Sequence, residues 1–245
     1  CTTTSGAVSY NGPTNSTGKG RYVYVGGVMG VLDVEYELNY TGLTVSCDLN
    51  SIDIEDNGQQ CVGGVIGFLK KKLTLTSPSW NGNVRYTISG GNPGCNTCIG
   101  GIVGWSEVPG LVMTGAETNG TIQMSTSLAN NKYWYQGILS IGGQVGKANN
   151  GLSISESTNN VTFGWTAASQ TSNNGLVSIG GIVGRIDQGL AVISKCTNNG
   201  LLANLHKNDN AWTAGKLSAN RTGGIIGTYG GVADFSTLDK STSNI

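Results

Sequence analysis

One five-residue pattern, Gly-Gly-hydrophobic-hydrophobic-Gly, recurs six times and constrains the fold more than any other feature of the chain. It stands at Gly26–Gly30, Gly63–Gly67, Gly100–Gly104, Gly142–Gly146, Gly180–Gly184 and Gly223–Gly227, with Gln144 as its one polar exception. Successive copies begin 37, 37, 42, 38 and 43 residues apart. A near-constant period of this length means that one supersecondary unit is repeated. Such a unit cannot bury its own apolar face, so neighbouring units must stack.

Each unit carries two further runs. The first alternates as Leu43–Val45, Leu73–Leu75, Leu111–Met113, Leu152–Ile154 and Leu190–Val192. The second alternates as Val84–Ile88, Ile122–Met124 and Val161–Trp165. Period-2 patterning with β-branched residues predicts strands, and no segment sustains a 3.6-residue period. Between the runs stand Asn81-Gly82, Asn119-Gly120, Asn159-Asn160 and Asn199-Gly200, which predict tight turns because Asn and Gly tolerate positive φ. The expected fold is a single all-β domain over residues 1–245, a parallel β-solenoid of about six repeats of 37–43 residues.

Alternation also assigns sides to the glycine motif. Val25/Met29, Val62/Ile66, Ile99/Val103, Ile141/Val145, Ile179/Val183 and Thr222/Ile226 face the core. The other side, glycine-flat around Val28, Val65, Ile102, Gln144, Ile182 and Ile225, lies against another layer or a partner, near a partly wet boundary at Gln144. Glycine weakens a strand, so close approach of that layer is its reason for being there.

With turns such as Ile193-Ser194-Lys195-Cys196-Thr197-Asn198-Asn199-Gly200 after them, these copies resemble the glycine-rich GLUG-motif repeats of bacterial adhesins and IgA-protease-like proteins. Similar arrays occur in protist surface proteins. The likeness covers nearly the whole chain through short, degenerate motifs. It implies an extracellular β-solenoid used for display or adhesion, and it transfers no catalytic residue.

Composition narrows the function classes. Of 245 residues 40 are Gly, without the every-third spacing of collagen, and only 11% are charged. Lys plus Arg equals Asp plus Glu at 14 each, so no basic surface exists to neutralise phosphates and nucleic acid is not an expected partner. No apolar run of about 18 residues predicts a membrane span. Six Cys and five sequons, at Asn15, Asn39, Asn119, Asn160 and Asn220, point to an oxidising extracellular or cell-surface location and to covalent N-glycans.

Candidate chemistry is sparse. Cys61 and Cys98 both precede Gly-Gly by two residues, so stacking brings them together as a candidate disulfide, against the alternative of free buried thiols; Cys1 and Cys47 form a weaker candidate pair. Cys95-Asn96-Thr97-Cys98 lacks the second pair of a zinc site, and no cofactor or metal is expected. The Asp53-Ile54-Glu55-Asp56 loop is the acidic cluster that polysaccharide cleavage or Ca²⁺ would need, although a solvated loop is the simpler reading. Asp33, Glu35 and Glu37 read as the outward side of a strand, Lys70–Lys72 as a solvated edge, and His206 as surface. Tyr133, Trp134 and Tyr135, with Trp212 in another long insert, could stack on sugars; covering the solenoid side is the simpler role.

Cys1–Gly6, Cys196–Gly200 and Ser241–Ile245 fall at about the same phase of the repeat, and no polar cap is evident. The expectation is therefore head-to-tail self-association, with the neighbouring repeats of a longer chain as the alternative. The function expected is that of a glycosylated, non-catalytic surface or fibre component. A carbohydrate-binding adhesion module is the first rival and a β-helix polysaccharide-active enzyme the second.

Overall fold

Every copy of the glycine motif is the corner at which the chain leaves one sheet for another. In the second turn Gln60–Gly63 is a strand, Gly64 and Val65 bend, and Ile66–Leu69 starts a strand of a different sheet. The computed structural model describes residues 4–11, 22–54, 58–88, 96–107, 110–126, 138–167, 176–201, 219–230 and 242–243. They form a parallel β-solenoid with no helix among them. Four turns are described through all sheets at full length, and two more in part.

Three sheets run along the axis. The first holds six strands: Val23–Gly26, Gln60–Gly63, Asn96–Gly100, Ile138–Gly142, Leu176–Gly180 and Ala219–Gly223. The second starts behind the corner and takes in the first alternating run. It is interrupted in early turns, as Ile66–Leu69 with Leu73–Thr76, and unbroken later, as Val145–Ser155 and Val183–Ser194. The third holds seven strands: Thr4–Asn11, Thr44–Ile54, Ser79–Ile88, Glu117–Thr126, Thr158–Ala167, Thr197–Asn198 and Thr242–Ser243.

Space, not backbone conformation, demands the motif's glycines, since none of them has a positive φ. A Cβ on Gly104 would stand 2.8 Å from both N and O of Val62, and one on Gly67 would stand 2.7–2.8 Å from N and O of Val25. The second sheet therefore rests backbone on backbone against the first sheet of the preceding turn, at these points closer than the ~10 Å of sheets separated by side chains. Gly63 abuts the carbonyl of Ile66, and Gly64 abuts the carbonyl of Gly101 and the Trp80 indole. The layer against the glycines is the solenoid's own second sheet, but the side expected for Val65, Ile102 and Ile182 is corrected: past the corner bend they lie in the same core cluster as Val62 and Ile66.

The corner leaves no gap in the hydrogen-bond ladder. The Val65 carbonyl accepts from the N–H groups of Val28 and Met29 at 3.0 and 3.1 Å, and the Ile102 carbonyl accepts from Val65 and Ile66 at 3.1 and 2.9 Å. Each corner carbonyl thus uses both lone pairs, which lets a bend be fully buried.

The expected core pairs from Val62/Ile66 to Ile179/Val183 are buried in one continuous cluster, whereas Thr222 is exposed. Two further expectations need correction. Gln144 is not at a wet boundary: it is fully buried, and its Nε2 donates to the carbonyls of Ala116 and Thr158 at 3.3 and 3.2 Å. Asn81-Gly82 and Asn119-Gly120 are not turns but lie inside long third-sheet strands, in register with one another. The tight corner comes earlier, at Gly42, Ser77, Gly115, Glu156 and Lys195, all with φ between 51° and 64°. Ser, Glu and Lys disfavour that region by about 1–2 kcal/mol, so residue type did not reveal it.

Gly104→Ala should lower stability by about 2–3 kcal/mol through overpacking. Gly164→Ala, whose Cβ would meet nothing nearer than 3.9 Å, should leave stability unchanged or raise it by about 0.5 kcal/mol. Urea denaturation midpoints of the two variants check the contrast.

Candidate functional site

A second, smaller interior lies between the first and second sheets. Tyr24, Cys61, Phe68, Cys98 and Trp105 pack there, apart from the main core. The second sheet is set one turn ahead of the first, so Tyr24 stacks on Phe68 of the next turn with ring centroids 4.8 Å apart. At the far end, Ser178 and Thr228 hydrogen bond across the same gap at 2.7 Å. The same offset sets Cys61 against Trp105, Cys98 against Lys147, and Ser140 against Arg185. The seam therefore grades from aromatic to ionic along the axis.

Lys147 is the one buried cation among the described residues. Its ammonium lies 4.4 Å from the Trp105 ring centroid and 2.9 Å from Asp187 Oδ2, and Asp187 also pairs with Arg185. Burial pushes the Asp187 carboxyl up, but the hydrogen bonds and charges of Lys147 and Arg185 outweigh it and hold the group below its usual value. Trp105 Nε1, Ser140 Oγ and Arg185 Nη1 are buried without a partner. The seam holds neither a nucleophile paired with a base nor, among the described residues, three His, Cys, Asp or Glu side chains grouped to hold a metal.

The stacking of Cys61 and Cys98 is as expected: they are register partners on adjacent turns. The bridge is not formed, and both are free, buried thiols. In-register parallel neighbours keep their Cβ atoms near the ~4.8 Å strand spacing, wider than the ~3.8 Å that a disulfide prefers. Burial, followed by the neighbouring Cys98 thiol, pushes Cys61 well above the usual thiol range, so it is protonated and unreactive. Of the second candidate pair, Cys47 lies opposite Gly6 and is a free, buried thiol. Cys1 and Cys95 lie outside the described residues.

The described sequons occupy strands, not turns. Asn39 is exposed in Leu38–Thr41, and Asn220 lies in Ala219–Gly223. Asn119 and Asn160 belong to a ladder on the outer side of the third sheet: Asn199 Nδ2 donates to Asn160 Oδ1 at 3.0 Å, and Asn160 Nδ2 donates to Asn119 Oδ1 at 2.9 Å. The nitrogen to which a glycan would attach at Asn160 is thus engaged. Asn15 lies outside the described residues.

Tyr133, Trp134, Tyr135, Glu55, Asp56, His206 and Trp212 also lie outside them, and Asp53 is the last residue but one of the strand Thr44–Ile54. Asp33, Glu35 and Glu37 are exposed in a link between strands, not on a strand face. Lys70 and Lys72 pair with two of them, Asp33 and Glu37, at 3.3 and 2.9 Å. A shallow groove of about 530 Å³ lies where Gly110, Gly151 and Gly189 bend the second sheet; Leu111, Leu152 and Leu190 are among its lining residues. Its lining contains no titratable side chain.

The class these features define is a glycine-packed parallel β-solenoid with a closed interior. Comparison with protein-family models, with curated proteins and with solved structures found no match.

Two outcomes follow for the seam. Asp187→Ala leaves Lys147 buried and unpaired and should destabilise by about 3 kcal/mol, more than Lys147→Met, which removes the buried charge itself. Because the folded Asp187 carboxyl is depressed, its contribution is complete above the unfolded carboxylate value of about 4 and is lost as pH falls below it. Urea midpoints between pH 2 and 6 should show that loss in the parent chain and not in Asp187→Asn. Separately, Cys61 and Cys98 should resist alkylation in buffer and react fully in denaturant, as peptide mapping will report.

Proposed function

We propose that this chain is a structural repeat protein, a glycosylated component of an extracellular surface or fibre, whose turns stack end to end on those of a second copy. The observation that carries this reading is the placement of exposed apolar side chains. Of the large hydrophobic residues exposed among the described ones, Tyr22, Val28, Val31 and Tyr36 belong to the first turn or directly precede it. The same columns are closed in later turns: Val28 gives way to Val65 and Ile102, and Val31 to Phe68 and Trp105, all buried. The first turn thus presents a cross-section of unfinished core beside edge strands whose outer backbone groups can pair.

At the other end Ile225 continues the column of Val28 and Ile226 that of Met29, both half-buried, and exposed Arg221 continues the column of Tyr24. Zero net charge adds no repulsion to oppose contact. The extracellular setting draws on the resemblance to surface-protein repeats and on the sequons, of which Asn39 is exposed. Within the described residues no side-chain arrangement favours sugar binding or polysaccharide cleavage over this reading.

Light scattering after size-exclusion chromatography should show mass rising with concentration, and electron microscopy should show unbranched filaments. The variant Val28→Lys/Val31→Lys, altered only at exposed positions, should shift the chain to monomer. A monomer at every concentration for the parent chain would refute the proposal.

A further inference from the structure

The outer side of the third sheet carries two adjacent columns of short polar side chains. Asn81, Asn119, Asn160 and Asn199 form one, and Asp48, Asn83, Thr121 and Thr162 form the other. Both are tied along the axis. Besides the ladder from Asn199 to Asn119, Thr121 Oγ1 donates to Asn83 Oδ1 at 2.7 Å, and Asn83 Nδ2 donates to Asp48 Oδ1 at 3.0 Å. An amide offers two N–H groups and two oxygen lone pairs, and the ladder takes one of each from Asn160. What is left over recurs outward at the strand spacing of about 4.8 Å. A face that meets these groups in series must have the same spacing. A second stack of in-register strands has it, which makes a second copy of this chain the matching occupant.

Charge sets the orientation. Among the described side chains of this face only Asp48, Arg85 and Glu117 are charged. Asp48 is taken up by Asn83, whereas Arg85 is exposed and belongs to none of the described ion pairs. Glu117 is exposed one turn further on, and Arg85 is in register with Gln123, six residues along from Glu117. That separation is about 20 Å, too far for contact within one chain. Two faces related by a two-fold axis along the strands set every column against itself, so Arg85 never reaches Glu117. A two-fold axis along the solenoid, midway between the two polar columns, sets the Arg85 column against the Glu117 column. Each Arg85 then lies one level from Glu117 of the other copy, and the asparagine column meets the column of Asn83 and Thr121. Such a contact is self-complementary and uses one patch on both copies.

The geometry points to paired filaments: two end-to-end stacks of this chain, parallel and back to back through their third sheets. This pairing rests on the stacking proposed above, because one chain offers too small a contact. Its four long third-sheet strands make a footprint of about 26 by 19 Å, on the order of 500 Å². A stable interface takes about 800 Å² per partner. Stacking repeats the footprint along the filament and makes the weak contacts act together. A glycan at Asn119 or Asn160 would hold the two faces apart, so these sequons stay bare, while exposed Asn39 of the second sheet is free to carry one.

Electron microscopy of the parent chain should show filaments two solenoids wide. Arg85→Glu, altered only at an exposed position, sets like charges together and should give filaments one solenoid wide. Arg85→Glu/Glu117→Arg should restore the double width. Parent filaments one solenoid wide would overturn the pairing and leave the stacking standing. Double-width filaments from Arg85→Glu, or no recovery in the double reversal, would overturn this face as the contact. Absence of filaments altogether would refute stacking and pairing together. Glycopeptide mapping of chain secreted by a glycosylating host gives a second check: Asn119 and Asn160 should be unmodified, and a glycan on either would overturn the contact.

Discussion

Two backbones in contact, with no side chain between them, set the terms for the rest of this molecule. Gly67, Gly104, Gly146, Gly184 and Gly227 each lie on the backbone of a first-sheet residue one turn back. Because that contact joins successive turns and not parts of one turn, no turn is complete by itself. The one-turn offset then decides which side chains meet across the seam and why each corner carbonyl serves two N–H groups of its neighbour. It also accounts for a composition with a glycine at one position in six or so and few charges.

Several polar side chains inside the stack are paired with one another or with backbone carbonyls, some along the axis and some across the core. Asn159 Nδ2 donates to Asn198 Oδ1 at 2.7 Å, and Asn159 Oδ1 accepts from Thr118 Oγ1 at 2.8 Å; all three residues are fully buried. Gln60, Tyr86 and Thr97 form a comparable buried group. At the corner Gln144 replaces an aliphatic side chain, and its amide nitrogen reaches across the core to the carbonyls of Ala116 and Thr158, while its Oε1 is buried without a protein partner. Such ladders help to fix register, because a slip by one residue would strand every amide at once.

Much of the fold was legible in the sequence because the repeat period and the alternation are properties of composition along the chain. The six motif copies gave the number of turns, and the partners of Val62 and Ile66 gave the core side. What escaped was where the chain bends. The motif reads as a strand interior because Val65 and Ile66 are strand formers, yet the steric demand of Gly63 and Gly64 makes it a corner. The αL corner at Ser77, Glu156 and Lys195 is held by inter-turn hydrogen bonds, such as Ser77 N–H to Thr114 at 2.7 Å, which leave no trace in residue type. The seam was less legible still. Cys61 and Cys98 could be placed together by spacing, but Lys147 and Asp187 meet only through the offset between sheets, and their separation in the sequence carries no signal.

The distribution of chain length around a turn has a consequence for how such a protein can change. From Gly26 to Thr44, Gly63 to Ser79, Gly100 to Glu117, Gly142 to Thr158 and Gly180 to Thr197, the chain takes 16 to 18 steps. From those strand starts to the next Gly-Gly it takes 19 to 26. The arc through the glycine corner and the second sheet is held to within two residues of one length, and an extra residue there is taken up as an irregularity, such as the register shift between Val145–Ser155 and Val183–Ser194. The stretch from the third sheet back to the first varies over a wider range, by up to seven residues. Because the strands that these stretches join are stacked in register, this greater variation in length falls between the same two sheets in every turn, and the turns differ in size mainly on that one side.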